Sequence, residues 1–113
     1  MPDFLISTTE SVSGYRVTEV LGTVFGVSVR SRSIVGNFLG NLRATIGGSQ
    51  EGYVKMVTQS REEAINKMAE QAKNIGANAI IMMRFDSGEF DAGQGQAMNE
   101  VIAYGTAVKM EHI

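Results

Sequence analysis

From Tyr15 to Arg30 the apolar residues alternate. Tyr15, Val17, Leu21, Phe25, Val27 and Val29 take odd positions, while Val20 and Val24 share the even ones with Gly22 and Gly26. Alternation built on β-branched residues predicts a strand. Both of its faces are more apolar than a strand with one solvated side needs, and the glycines predict close backbone approach or a bend. The short apolar run from Phe4 to Thr8 predicts a strand ahead of it. From Ser31 to Ile46 the spacing changes to threes and fours, through Val35, Phe38, Leu39, Leu42 and Ile46. That predicts a helix with Ser33 as N-cap. A second, longer helix is predicted from about Gln50 to Ile75, with Tyr53, Val57, Ala64, Ile65, Met68, Ala72 and Ile75 as its buried stripe. Glu63 and Lys67 stand in the favourable i,i+4 order on its outer face, and Gly76 supplies the C-terminal cap.

Alternation returns at Ala77 to Asp86, with Ala79, Ile81, Met83 and Phe85 expected on one face and Ile80, Met82, Arg84 and Asp86 on the other. Ser87 to Gly95 reads as a polar loop. The last strand is predicted from Met98 to Met110. The fold class is therefore α+β: one domain over residues 1–113, with a small mixed or antiparallel sheet and two helices, one long, packed on it in the order β-β-α-α-β-β. Helices can cover one sheet face. A second copy of the chain is the economical cover for the other.

Composition narrows the chemistry. The chain has 113 residues, a formal net charge of −2, no cysteine and one histidine, His112. The charge gives no basic face for neutralising phosphates, so a nucleic-acid partner is not expected. No disulfide or thiolate site can exist. The N-terminus lacks the basic and apolar regions of a signal peptide, and no apolar run reaches the roughly 20 residues of a membrane helix. The expectation is a cytoplasmic protein with no membrane partner.

Two glycine pairs invite a phosphate-loop reading. Gly48 is followed by Ser49-Gln50 rather than by lysine and a hydroxyl, and no strand leads into the turn, so Ile46 to Tyr53 reads as a hinge. Gly93-Gln94-Gly95 lacks a third glycine and a following helix. Seven methionines could in principle hold a soft metal, but their positions on helix and strand faces read as core filling. Asp86, Glu89, Asp91 and Glu100 could gather near the last loop as oxygen ligands for a hard cation, or form a solvated acidic loop. No cofactor and no catalytic residue are expected. The bet for a ligand site is Arg32, Arg84, Asp86 and Glu100, since arginine beside carboxylate at an interface suits a small anionic metabolite. On the first predicted helix Gly36 and Gly40 lie opposite Phe38 and Leu42. Two interior glycines cost about 1 kcal/mol each relative to alanine, and close packing between subunits would offset that.

The chain also resembles a known family. Ser7-Thr8-Thr9, Gly22 to Gly26, Arg32-Ser33, Gly36 to Arg43, Gly47-Gly48, Tyr53, Arg61 to Ala64, Gly76 to Ala79 and Tyr104 to Val108 stand in the order and spacing of the YbjQ-like family, often labelled for heavy-metal binding. The resemblance spans nearly the whole chain. It implies an α+β subunit that assembles into a ring, typically a homopentamer, and it implies no established activity. Asn37 and Ser49-Gln50 depart from the charged residues usual in the family.

Overall fold

Three long runs of alternating residues pair into one sheet, and a long helix covers one of its faces. The computed structural model describes residues 4–31, 51–91, 93 and 97–113. Among these the strands are β1 (Leu5–Ile6), β2 (Tyr15–Ser31), β3 (Ala79–Asp91) and β4 (Ala97–His112), and the helix is α1 (Glu51–Asn74). They form a mixed sheet in the order β1-β3-β4-β2. β4 pairs antiparallel with both long neighbours, and β1 adds parallel to β3. Ser31, where the first helix is predicted to begin, is the last residue of β2, and the rest of that predicted helix, to Ile46 and with Arg32, Gly36 and Gly40, lies outside the described residues. Of the two helices expected, the described residues contain the long one.

The face assignment of β3 needs correction. Met82 has φ of 55°, and Met82 and Met83 together oppose the single residue Gly105. One inserted residue reverses the alternation beyond it. Met83 and Phe85 therefore join Ile80 against the helix, while Ala79 and Ile81 pack on the opposite side. The bulge is supported from outside the ladder. Thr9 O and Ser7 O accept from the Met82 and Met83 amides at 3.1 and 3.0 Å. Gly105 is required here, because a Cβ on it would stand 2.6 Å from Ile80 Cγ2 and 3.1 Å from Ile81 O.

β2 carries two register shifts, at Val17/Glu19 and Val20/Gly22, and Gly22 takes φ of 137°. Leu21 consequently packs with the helix-side cluster, not on the face of Phe25 and Val27 as its odd number suggested. Two insertions restore the parity, so Val24, Gly26 and Ser28 all turn towards α1 and are buried.

The buried line of α1 is Met56, Ser60, Ala64, Met68 and Ala72, spaced by fours. Val57 and Ile65 are half-buried, and Ile75, expected in the stripe, is exposed. The helix ends as predicted at Gly76, with φ of 90°. The Ala77 amide bonds Ala72 O at 3.0 Å and the Gly76 amide bonds Lys73 O at 3.0 Å, the paired closure that a left-handed glycine permits. Met68, Val24, Ile80, Ala103 and Ala107 form the core beneath it, where each large side chain contributes about 1.5–3 kcal/mol of burial.

A smaller cluster, Ala79, Ile81, Val108 and Met110, lies on the other side and is covered by Leu5, Val12 and Tyr15. Asn78 locks this end: its Nδ2 donates to Met110 O and its Oδ1 accepts from the Met110 amide, both at 2.8 Å.

Candidate functional site

Beyond that smaller cluster, the sheet face away from α1 has no cover among the described residues. Cross-strand register places Phe25, Tyr104 and Arg84 in one row, Val27, Ile102 and Asp86 in the next, then Val29, Glu100 and Gly88. Ser31, Met98 and Phe90 follow. Phe25 is 54% exposed, Val29 45%, Phe90 42% and Tyr104 39%. Single exposed apolar side chains are ordinary, but a contiguous group on one rigid face marks a surface that meets something.

Three predicted ligand residues share this face. Arg84 spends its Nη1 on Thr8 O and Met83 O, both at 2.8 Å, and Asp86 Oδ1 accepts from the Ser87 amide at 3.0 Å. Glu100 stands against Gly88, whose missing Cβ would lie 3.2 Å from Glu100 Oε1. The expected acidic loop is instead the continuation of β3, which runs to Asp91. Register puts Glu89 opposite Asn99 on the helix side and Asp86 opposite Ile102 on the far side. Strand alternation thus separates those carboxylates.

The helix side holds a site that the sequence reading missed. Past the core, two rows of the sheet become polar: Ser28, Val101 and Ser87, then Arg30, Asn99 and Glu89. With Met56, Val57 and Ser60 of α1 they line a half-open cavity of about 360 Å³, bordered also by Gly88 and Glu100. Arg30 Nε donates to Ser60 Oγ at 2.7 Å and its Nη2 to Glu63 Oε2 at 2.9 Å. Lys67 Nζ sits 3.1 Å from Glu63 Oε1, the predicted i,i+4 pair, and donates to Val27 O at 3.0 Å.

The carboxyl of Glu63 is held below its ordinary value, first by the Lys67 hydrogen bond and charge, against some desolvation, then by Arg30. The Ser28 hydroxyl adds a smaller lowering, without a hydrogen bond of normal geometry. Ser28 Oγ and Asn99 Oδ1 are buried and unbonded, an arrangement that costs about 1–3 kcal/mol for each group. The signal was present in β2. Ser28 and Arg30 end the run of small and apolar even positions from Val20 to Gly26.

A family model described as "Putative heavy-metal-binding" matches residues 4–111. The chain belongs to the YbjQ-like family. Curated relatives of this family carry the name UPF0145 protein. One from Acidiphilium cryptum is 59% identical over 113 residues, covering 100% of this chain and 99% of its own. One from Lactococcus lactis is 47% identical over 113 residues with 100% of both chains covered. A third, from the archaeon Saccharolobus islandicus, is 46% identical over 106 residues, 94% of this chain and 90% of its own. A crystal structure of a protein of unknown function from the DUF74 family of Pediococcus pentosaceus has the same fold, with a TM-score of 0.63 and 16% identity. It covers 96% of this chain and 98% of that one.

The YbjQ-like description raises heavy metals, and the residues of this chain do not fit one. Soft metals take thiolate, thioether or imidazole ligands. There is no cysteine, and the one histidine, His112, stacks edge-on against Tyr15 at 4.9 Å. Of the methionines, Met56, Met68, Met83 and Met110 are buried in the two clusters or beside them, while Met82 is exposed on the bulge. Among the described residues, no three histidine, aspartate or glutamate side chains come together as a ligand set.

Proposed function

We propose that this YbjQ-like chain is a self-assembling scaffold subunit whose copies cover one another's exposed sheet faces. The observation that carries the reading is the apolar group Phe25, Val29, Phe90 and Tyr104 on one side of a rigid sheet. A chain of 113 residues has a modest core, and covering this face in an assembly adds burial that the single subunit lacks. The proposed assembly is a closed ring in the cytoplasm, and five is the number that the family resemblance implies. In this reading Gly36 and Gly40 belong to the packing between subunits. Arg32, Arg84, Asp86 and Glu100 mark a junction suited to a small anionic ligand.

Light scattering behind size exclusion tests it. The full chain at micromolar concentration is expected to run at a multiple of 12.2 kDa, and Phe25→Glu with Tyr104→Glu to lower that mass. A monomer mass for the parent chain overturns the proposal.

A further inference from the structure

The floor of the cavity under α1 presents two buried polar atoms with no partner, Ser28 Oγ and Asn99 Oδ1. Ser28 is 1% exposed, so bulk water does not reach it. The charges near that floor are already committed. Arg30 is held by Ser60 and Glu63, Glu89 is itself partnered, and Glu100 belongs by register to the opposite face of the sheet. Lys67, the other partner of Glu63, is half-exposed and does not line the cavity. An ion placed on this floor gives up its hydration and meets no uncommitted counter-charge. That costs a charged group far more than a neutral one whose hydrogen bonds are met.

The two unmet atoms also define the head of a ligand. Ser28 pairs with Val101 and Arg30 with Asn99 across β2 and β4, so Ser28 and Asn99 are diagonal neighbours, positions about 7–8 Å apart in an antiparallel pair. An amide oxygen only accepts, whereas a hydroxyl both donates and accepts. A primary amide meets both: its N–H donates to Asn99 Oδ1 and its carbonyl accepts from the Ser28 hydroxyl. Having both functions, it also serves Asn99 in either orientation of that residue's own amide. Met56, Val57 and Val101 supply apolar wall for a short carbon chain, and about 360 Å³ falls at the small end of ligand pockets. We propose that this cavity binds a small uncharged primary amide with a short aliphatic tail. The site lies within one subunit, so it stands apart from the self-assembly proposed above.

The test is calorimetric titration of the full chain at neutral pH with pentanamide, beside 2-hexanone, sodium pentanoate and pentylammonium chloride. The first three share one skeleton and differ in the group on the carbonyl carbon, which separates hydrogen bonding and charge from shape. A probe as small as pentanamide is expected to bind with Kd on the order of 1 mM, about fivefold or more ahead of each comparator. Ser28→Ala and Asn99→Leu are each expected to weaken pentanamide binding by about fivefold or more. Both should keep Tm at or above that of the parent, because each replaces an unbonded buried polar atom with an apolar group. No saturable heat up to about 10 mM pentanamide would overturn the proposal. So would equal or tighter binding of any comparator, or unchanged binding in both variants. Light scattering on the same samples records whether assembly fails, and that outcome does not alter the reading of the titration.

Discussion

Gly26 sets how closely α1 can approach the sheet, and adding one methyl group there tests the whole packing scheme. A Cβ on Gly26 would stand 2.1 Å from Ala64 O, 2.5 Å from the Met68 amide nitrogen and 2.9 Å from Lys67 Cβ. Two of those three atoms are helix backbone, so no side-chain rotation relieves the clash. The helix must retreat by about 1 Å, a gap that forfeits roughly a quarter to a half of each dispersion contact it opens. Those contacts belong to Val24, Ala64, Met68, Ala72 and Ala103, which make up the centre of the core. Overpacking ordinarily costs about 1–3 kcal/mol. A backbone clash over the core centre belongs at or above the upper end, so Gly26→Ala should cost about 3 kcal/mol or more. For a domain near this size each kcal/mol shifts Tm by roughly 4–8 °C, giving a loss of about 12 °C or more. The matched control is Gly88→Ala, where the new Cβ meets only the Glu100 side chain, nearest at Oε1, 3.2 Å away, and should cost under about 1 kcal/mol. Thermal melts followed by circular dichroism at one fixed protein concentration compare the two, since assembly makes Tm depend on concentration. A Gly26→Ala variant melting within about 3 °C of the parent would refute the placement of α1.

Further outcomes follow from the polar network. Glu63→Gln should destabilise by less than about 1 kcal/mol at neutral pH, because its pairs with Arg30 and Lys67 are half-exposed. Its folded pKa lies below the unfolded value, so the stabilisation is full above the ordinary carboxylate range and disappears as pH falls through the lowered value. Melts from pH 7 downwards should show the parent and variant converging; a constant gap at all pH values would contradict the assignment. Asn78→Ala should cost about 3 kcal/mol, since it removes two hydrogen bonds and strands the buried Met110 amide. Urea unfolding measures that loss, and a change under about 1 kcal/mol would contradict the clamp.

The sequence carried the elements further than it carried their faces. Period-two alternation located β2 and β4, period-four burial located α1, and Gly76 closed the helix as its position predicted, because these depend on residues close in the chain. What alternation could not show was the extra residue at Met82. Nothing in Ile81-Met82-Met83-Arg84 marks which methionine takes positive φ, since the bulge is fixed by distant partners: Gly105 opposite it and the Ser7 and Thr9 carbonyls beside it. The same inversion explains the site. Reading Ser87 to Gly95 as a loop hid the register that sets Ser87 and Glu89 beside Ser28 and Asn99. That Arg84 and Asp86 share a face was legible because they keep one parity beyond the bulge, and Glu100 joins them on that face one row further along.

The claim that the far sheet face is covered by another subunit has a direct measurement. The chain contains no cysteine, so a single Phe25→Cys substitution places one thiol on that face. Its rate of reaction with a water-soluble thiol reagent is then followed as the protein is diluted, with light scattering on the same samples. The account predicts slow labelling where the mass is a multiple of the subunit, rising to the rate of a free thiol as the mass falls to that of the monomer. Full-speed labelling while the assembled mass persists would contradict it.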